Sequence, residues 1–193
     1  KIHEGKMKIF SFTLKSVFIS FMIFYLGTVT AADAKNDNAP KLEYFGSLTY
    51  RDIGEVRNFS RNFIANLGSG TLTLANGDVG KVSAPCADFG NAQKELWLDL
   101  DVRCTFTMDD GSLLYIFYGG KMIMDDKAMK LMDQGKPWKP KSGIDYWINA
   151  PLIRTSSLKY DYMNYIQLIG KGVIADLSAG YVTYDLYKVL YSK

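Results

Sequence analysis

Histidine is almost absent from this 193-residue chain, in which His3 is the single example. Without an internal histidine, the chain has neither a Ser-His-Asp nor a Cys-His mechanism available, and it lacks the commonest zinc ligand. Basic residues exceed acidic ones only slightly, 23 against 20. So small an excess is not typical of proteins that hold phosphates, and nucleic acid is therefore not an expected partner.

The chain also lacks an apolar run of the roughly 20 residues that a membrane-spanning helix needs. The uncharged run 16–29 has 14 residues, follows a short cationic start at 7–15, and precedes Ala32 and Ala34 in A-x-A spacing. This charged, apolar, small-residue order predicts a secretory signal peptide, with an uncleaved anchor as the alternative. We therefore expect a secreted or periplasmic protein that has no membrane partner after cleavage.

These signals divide the chain into a leader, a tail and one domain. Residues 1–6 precede Met7, which we take as the initiator, and are excluded as a gene-start artefact; the signal peptide then covers 7–34. A polar tail at 35–41 leads into a single domain at 42–193. The 159 residues after the leader carry a net charge of +1 and no histidine. They are enough to bury a core without cross-links.

Only two cysteines are present, Cys86 and Cys104. An oxidising compartment would allow them to pair. If residues 87–95 are a simple connection between neighbouring strands, however, Cys86 lies opposite Trp97. The two sulfurs are then separated by ~20 Å along the strand, which exceeds the reach of a disulfide. The spacing predicts two buried free thiols.

Most of the remaining sequence reads as β-strands separated by turns. Nine segments are rich in β-branched, aromatic and other apolar residues: 42–50, 62–67, 70–74, 79–86, 95–108, 112–124, 143–150, 165–175 and 181–191. Asn76-Gly77-Asp78 and Asp109-Asp110-Gly111 are hairpin signals. One amphipathic stretch, 126–134, ends before Gly135 and Pro137, and it predicts a short helix inside a connection. Many short strands with almost no helix indicate an all-β sandwich or a closed barrel.

The strand 95–108 alternates between an apolar and a polar face. The polar face carries Trp97, Asp99, Asp101, Arg103 and Thr105. In the next strand both faces are apolar, which a plain solvent-facing sheet does not explain. Either a second layer or subunit packs outside, or the barrel carries apolar groups inside and out. A homo-oligomer is therefore a reasonable expectation.

Three segments together resemble a family known as domain of unknown function 3237. Residues 85–89 (PCADF) are similar to its small-small-Asp-Trp stretch, with Phe89 in place of Trp. Residues 98–111 resemble its Asp-x-Arg strand running into an Asp-Gly turn. Residues 150–164 resemble its Pro-x-x-x-Thr segment followed by Tyr-x-Trp-Leu-Asn, with Arg154 where Glu is usual.

The resemblance implies a lipocalin-like barrel similar to allene oxide cyclase. The predicted fold is accordingly an antiparallel, calycin-like barrel of eight to nine strands with one short helix. Related barrels bind small lipophilic molecules, and some isomerise or cyclise them. A shared fold does not by itself assign an activity.

A charged row supplies the candidate catalytic residues. Asp101 and Arg103 are two apart in one strand, so their side chains leave the same face, and the resemblance adds Asp88. In a lumen, Arg103 would bind a ligand carboxylate or enolate oxygen, and an aspartate with a raised pKa would transfer a proton. On the outer surface, the same side chains would form a structural ion pair. The sequence leaves both possibilities open.

Four further residues are candidate ligand contacts. Tyr160 and Asn164, four apart, suit the orientation of a ligand carbonyl, and equally suit pinning a turn before the last strands. Trp97 and Tyr115 would add aromatic rings to the wall of a binding site, which suits an amphipathic ligand. Aromatic residues are, however, also ordinary strand formers.

Three functions are compatible with these patterns. The first is an exported protein that binds a small hydrophobic or aromatic molecule. The second is a cofactor-independent isomerase or cyclase that uses Arg103 with Asp101 or Asp88, and the third is a structural interaction module. No cofactor or metal is expected, because the glycine pairs lack phosphate-loop spacing and the paired aspartates lack the alternating oxygens of a calcium loop.

Overall fold

β-Strands make up most of the structure. A computed structural model describes residues 39–94 and 97–191, so the predicted leader and most of the polar tail lie outside the described residues. The strands are β1 (Lys41–Phe59), β2 (Asn62–Leu74), β3 (Val79–Asp88), β4 (Asn91–Lys94), β5 (Trp97–Met108), β6 (Leu113–Ile123), β7 (Tyr146–Asn149), β8 (Leu152–Arg154), β9 (Leu168–Asp176) and β10 (Tyr181–Leu190). The helix α1 spans Asp126–Asp133, and a 3₁₀ helix spans Asp161–Tyr165.

The ten strands close into a ring of eight antiparallel positions. Neighbours around the ring are β1, β2, β3, β5, β6, β7, β9 and β10, and β10 pairs back with β1. The short β4 continues the β3 position between β2 and β5, and β8 continues the β7 position beside β6. The ring is uneven because its strands range from three to 19 residues. The predicted all-β, barrel-like class with one short helix is confirmed.

The predicted turns and helix form for the expected local reasons. Gly77 and Gly111 have φ values of 91° and 83°, which a residue with a Cβ rarely adopts. The Asp125 carboxylate accepts a hydrogen bond of 2.8 Å from the backbone N–H of Ala128, and this N-cap begins α1. The helix ends at Asp133, close to the predicted boundary.

The apolar face of β5 points into the ring. Its inward side chains are buried, while Asp101 is partly buried and Arg103 is exposed on the other face. The core that they join includes Leu48, Leu72, Val102, Phe106, Ile116, Leu168 and Leu186. Period-two alternation of a half-buried strand explains this division.

One end of the ring is closed by the segment 155–167. Within it, Lys159 forms ion pairs with Asp78 at 3.1 Å and Asp110 at 3.5 Å, each in a different hairpin turn. Tyr160 and Met163 are buried against the core. The segment therefore ties the turns together across this end of the ring.

The prediction of free thiols is wrong, because Cys86 and Cys104 form a disulfide. The strand does not stop at Cys86. After an interruption at residues 89–90, β4 continues along β5, with Asn91 opposite Asp99 and Lys94 opposite Trp97. In this register Cys86 faces Cys104, with 4.0 Å between their Cα atoms.

Several predicted strand limits also differ from the structure. β1 continues past Tyr50 to Phe59, and 62–67 and 70–74 are one strand. The strand predicted at 165–175 begins only at Leu168, because Tyr165 is the last residue of the 3₁₀ helix. The residues 51–61 are mostly polar and exposed, so their pairing across the β1–β2 hairpin leaves no core-facing pattern in the sequence.

The outer face of β6 is only partly covered within the described chain. Tyr115 stacks on Phe117 with 5.2 Å between ring centroids, and the Arg154 guanidinium lies 5.8 Å from the Phe117 ring. Leu113 and Tyr115 remain exposed. The apolar groups on both faces of β6 thus include an outer aromatic pair, and a homo-oligomer stays a prediction.

Candidate functional site

A cavity of about 300 Å³ lies inside the ring and opens at the end opposite the segment 155–167. Its rim comes from the β1–β2 hairpin, α1 and the β9–β10 turn, which contribute Val56, Phe63, Met132 and Leu177. Deeper walls are mostly apolar and include Ala65, Leu67, Leu100, Val102 and Met122. An apolar cavity open at one end can take up a small molecule and bury most of its surface.

Besides Asn58 on the β1–β2 hairpin, five side chains with polar groups lie among these apolar walls, and we call these five the lumen cluster: Tyr50, Asp88, Tyr118, Trp147 and Tyr184. They come from β1, β3, β6, β7 and β10. The Trp147 ring meets the Tyr184 ring edge-on with centroids 4.9 Å apart, and the Tyr118 and Tyr184 centroids are 6.1 Å apart. Closure of the ring alone brings these five positions together.

Asp88 is held in the cavity wall by its neighbour strand. The backbone N–H of Asp101 donates to Asp88 Oδ1 at 3.0 Å, and the N–H of Phe89 donates to the Asp101 carbonyl at 2.8 Å. Burial raises the pKa of Asp88 to about 6; the Asp101 N–H opposes this, and the nearby Asp101 charge adds to it. A carboxyl group with this pKa changes charge close to neutral pH, as a general acid or base requires.

The three tyrosines of the lumen cluster remain protonated. Burial is the main cause that raises the pKa of Tyr50, Tyr118 and Tyr184, and the charge of Asp88 adds to it in each case. Their hydroxyls therefore act as hydrogen-bond donors rather than as bases.

The predicted charged row faces away from this cavity. Both Oδ atoms of Asp101 accept hydrogen bonds of 3.1 Å from the Arg103 guanidinium, and the two side chains are 46% and 59% exposed. This pair raises the pKa of Arg103. Trp97 lies on the same outer face. Of the predicted catalytic residues, the structure brings only Asp88 into the lumen.

The other predicted contacts lie elsewhere. Tyr160 is buried at the closed end, and the Asn164 amide donates to the Thr155 carbonyl at 2.9 Å while its oxygen accepts from the Thr155 N–H at 3.0 Å. Asn164 thereby pins the closing segment. Asn164 and Tyr115 also line an open outer groove of about 770 Å³.

We favour the smaller cavity as the functional site because of the state of its polar groups. In the outer groove, Asn164, Thr155 and Thr105 already have hydrogen-bond partners. In the cavity, the Tyr50 and Tyr118 hydroxyls and the Trp147 indole N–H have none among the described residues. The Tyr50 and Tyr118 hydroxyls are near neighbours, and the Tyr184 hydroxyl lies near both the Tyr118 hydroxyl and the Trp147 indole N–H. None of these contacts leaves Tyr50, Tyr118 or Trp147 with the geometry of a hydrogen bond.

Reasoning from sequence missed four members of the lumen cluster. Tyr118 is in phase with Leu114 and Ile116 on the inward face of β6, so a tyrosine on a core face was the available signal. Tyr50 and Tyr184 have the same signal on β1 and β10.

Two further features concern metal and membrane binding. Across residues 39–94 and 97–191, no group of three or more histidine, cysteine, aspartate or glutamate side chains is placed to hold a metal ion. In the same ranges, no helix combines the length and the apolar character of a membrane span.

A closed antiparallel ring with an apolar cavity places this chain among the small β-barrel proteins. The chain belongs to the family described as protein of unknown function DUF3237, whose model matches residues 47–189. The predicted resemblance is therefore confirmed. No match is found among the curated proteins.

Solved structures share the fold. A conserved protein of unknown function from Rhodopseudomonas palustris is 22% identical, with a TM-score of 0.70, covering 79% of this chain and 98% of that chain. A β-barrel-like protein from Acinetobacter baumannii is 21% identical, with a TM-score of 0.63, covering 78% of this chain and 96% of that one. A protein of unknown function from Clostridium acetobutylicum is 19% identical, with a TM-score of 0.63, covering 78% and 99%.

Proposed function

We propose that this protein is an exported barrel that binds a small hydrophobic or aromatic molecule in its cavity. The observation that carries the proposal is the cavity of about 300 Å³, whose walls are apolar except for the lumen cluster and for Asn58 on the β1–β2 hairpin. Burial of apolar ligand surface supplies affinity, and a few polar groups fix the orientation. Aromatic rings of Tyr118, Trp147 and Tyr184 line the deep part of the cavity and suit contact with a ring system.

The disulfide supports the export part of the proposal. Cys86 and Cys104 are both buried and bonded to each other. Disulfides form and persist mainly in oxidising compartments, such as the periplasm or the extracellular space. The signal-like order of residues 7–34 predicts the same location.

A second candidate function is a cofactor-independent isomerase or cyclase, and the position of Asp88 favours it. The Asp88 carboxylate would accept a proton from a carbon next to a substrate carbonyl, and a tyrosine of the lumen cluster would donate a hydrogen bond to the enolate oxygen. Return of the proton to another carbon completes an isomerisation with no oxidant or reductant. In this scheme Arg103 and Asp101 have no contact with substrate, because they lie outside the ring.

Ligand binding can be tested with N-phenyl-1-naphthylamine, an uncharged dye that fluoresces in apolar surroundings. The barrel with its disulfide intact should bind the dye, and Ala92→Trp should weaken binding because Ala92 lines the cavity. Lys81→Trp is the matched control, since Lys81 is exposed on β3. Equal binding by both variants and the parent would contradict a lumen site. Native mass spectrometry of protein from its own host then identifies any retained ligand.

The enzyme hypothesis has its own test. In D₂O, the parent protein should accelerate exchange of the α-protons of 2-tetralone, as followed by NMR, and Asp88→Asn should abolish the acceleration. Dye binding should persist in that variant. Absence of exchange in the parent protein would leave the binding function as the better account.

A further inference from the structure

Three buried hydrogen-bond donors lie unpaired along the cavity wall. They are the hydroxyls of Tyr50 and Tyr118 and the indole N–H of Trp147, and none has a partner in the described part of the chain. The exposed fractions of these three residues are 1%, 3% and 3%. Buried polar groups are nearly always hydrogen-bonded, so three orphans in one cavity require an explanation.

The donor and acceptor capacity of these groups determines which ligand atoms can form hydrogen bonds with them. An indole N–H is only a donor, whereas a phenol hydroxyl can donate or accept. One ligand oxygen carries two lone pairs, so it can accept from two of these donors at once, and an apolar ligand can accept from none. An unsatisfied buried donor costs more free energy than a net hydrogen bond supplies, so the cavity penalises ligands that lack the oxygen.

The charge of the wall limits the kind of oxygen. Among the described residues that line the cavity there is no lysine, arginine or histidine, and Asp88 supplies their only carboxyl group. Burial already raises the pKa of Asp88 to about 6, so these surroundings disfavour negative charge. A ligand carboxylate would be buried beside Asp88 without a counter-ion, and such a charge is strongly unfavourable.

We infer that the cavity selects a small ring compound whose buried polar group is an uncharged oxygen, a phenol hydroxyl or a ring ketone, and that it rejects carboxylic acids. This inference rests on the proposed lumen-binding function and adds the class of ligand to it. Tyr50 and Tyr118 donate to the two lone pairs of this oxygen. Asp88 accepts the proton of a phenol hydroxyl and excludes anions.

Three naphthalene probes of nearly equal size test the inference: naphthalene, 2-naphthol and 2-naphthoate. Competition with the bound dye is measured at about pH 8, where an aspartate with this pKa is ionised. We expect 2-naphthol to bind about tenfold more tightly than naphthalene, since one or two hydrogen bonds supply such a factor. We expect 2-naphthoate to bind more weakly than either.

Conservative variants separate the contributions. Tyr50→Phe and Tyr118→Phe should each weaken 2-naphthol binding by about three- to tenfold, while naphthalene binding stays unchanged and shows that the cavity is intact. Asp88→Asn should strengthen 2-naphthoate binding because it removes the repelling charge. The outer-face variant Arg103→Met should change none of the three affinities.

The outcomes distinguish the two levels of the proposal. If neither the dye nor naphthalene binds the parent protein, the proposed lumen-binding function fails. If naphthalene binds as tightly as 2-naphthol, or 2-naphthoate binds as tightly as either, lumen binding stands and the ligand class is wrong. Loss of naphthalene binding together with 2-naphthol binding in both Phe variants would also overturn the assigned donors.

Discussion

The backbone N–H of Asp101 donates to the carboxylate of Asp88, although the two side chains lie on opposite sides of the barrel wall. The Asp101 side chain points outwards to Arg103, and the Asp88 side chain lines the cavity. The backbone of β5, whose outer face is polar, thus holds the Asp88 carboxylate in position inside the ring. The outer ion pair and the inner carboxylate have separate roles even though one residue links them.

Asp88→Asn should remove a pH-dependent loss of stability. The folded-state pKa of Asp88 is raised, so the free energy of unfolding contributed by this group is largest below about pH 4 and falls as the pH rises through 6. Above that range the variant should be more stable than the parent by at most about 3 kcal/mol, and the gain should vanish towards pH 4. Asparagine keeps the oxygen that accepts from Asp101.

Urea unfolding of both proteins from about pH 4 to 8 measures this difference. Carboxyl groups with lowered pKa values produce the opposite slope in both proteins, so they cancel in the comparison: Asp78, Asp99, Asp110 and Asp176. A difference that does not change with pH would mean that Asp88 is not the buried group described here.

The ion pair of Asp101 and Arg103 should contribute little to stability and nothing to ligand binding. Both side chains are about half exposed, and pairs of this kind are screened by solvent. A double-mutant cycle with Asp101→Asn and Arg103→Met should give no measurable coupling in urea unfolding, and dye affinity should match the parent protein. Strong coupling together with lost binding would return Arg103 to the site.

The cysteines should be unreactive until they are reduced. Alkylation under denaturing conditions should add no mass without reductant and two groups after reduction. The sequence separation of 18 residues predicts that replacing both cysteines by alanine lowers the free energy of unfolding by about 3 kcal/mol. Two reactive groups in the unreduced exported protein would contradict the disulfide.

Gly120→Ala should destabilise the barrel beside β7. A Cβ atom at Gly120 would lie 2.8 Å from the Ile148 carbonyl oxygen and 2.6 Å from the Asn149 Cβ, and backbone cannot move away easily. A loss of about 1–3 kcal/mol is expected from such overpacking. Gly119→Ala is the matched control, because its Cβ would meet only the Leu100 carbonyl at 3.6 Å. Equal stability of the two variants in thermal unfolding would show that β7 can shift to accommodate the added methyl group without loss of stability.

If the protein is exported as proposed, the mature chain should begin near Lys35. Ala32 and Ala34 supply the small residues that signal peptidase requires after the apolar run 16–29. N-terminal sequencing of protein from the exported fraction checks this. Membrane-bound protein that still begins at Met7 would support the uncleaved anchor instead.

Local patterns were sufficient to predict the fold class but not the site. The Asn76-Gly77-Asp78 turn and the apolar row of β5 each act within one hairpin, and both formed as predicted. The Cys86 pairing was mispredicted because β4 continues the strand through Asn91, which carries no strand-like pattern.

The lumen cluster depends on contacts between distant strands. Tyr50 and Tyr184 reach the same cavity only because β1 pairs with β10 at the far end of the chain, a step that no local window contains. Asp88 was found through the family resemblance, since nothing in its own segment says which face it occupies. Sequence alone left the direction of the Asp101–Arg103 row undecided for the same reason.

Because the ring is closed, some parts of this protein are free to diverge in sequence and others are not. The backbone groups of the eight ring positions satisfy one another, and the segment 155–167 closes one end. The rim residues Val56, Phe63, Met132 and Leu177 lie on the β1–β2 hairpin, on α1 and beside the β9–β10 turn, outside the hydrogen-bonded middle of the ring. If the cavity binds a ligand as proposed, substitutions and insertions at the rim would change which molecules enter while the ring and the lumen cluster stay in place. The proposed specificity for a ligand would then be set at the open end of the barrel, while strand pairing maintains the fold.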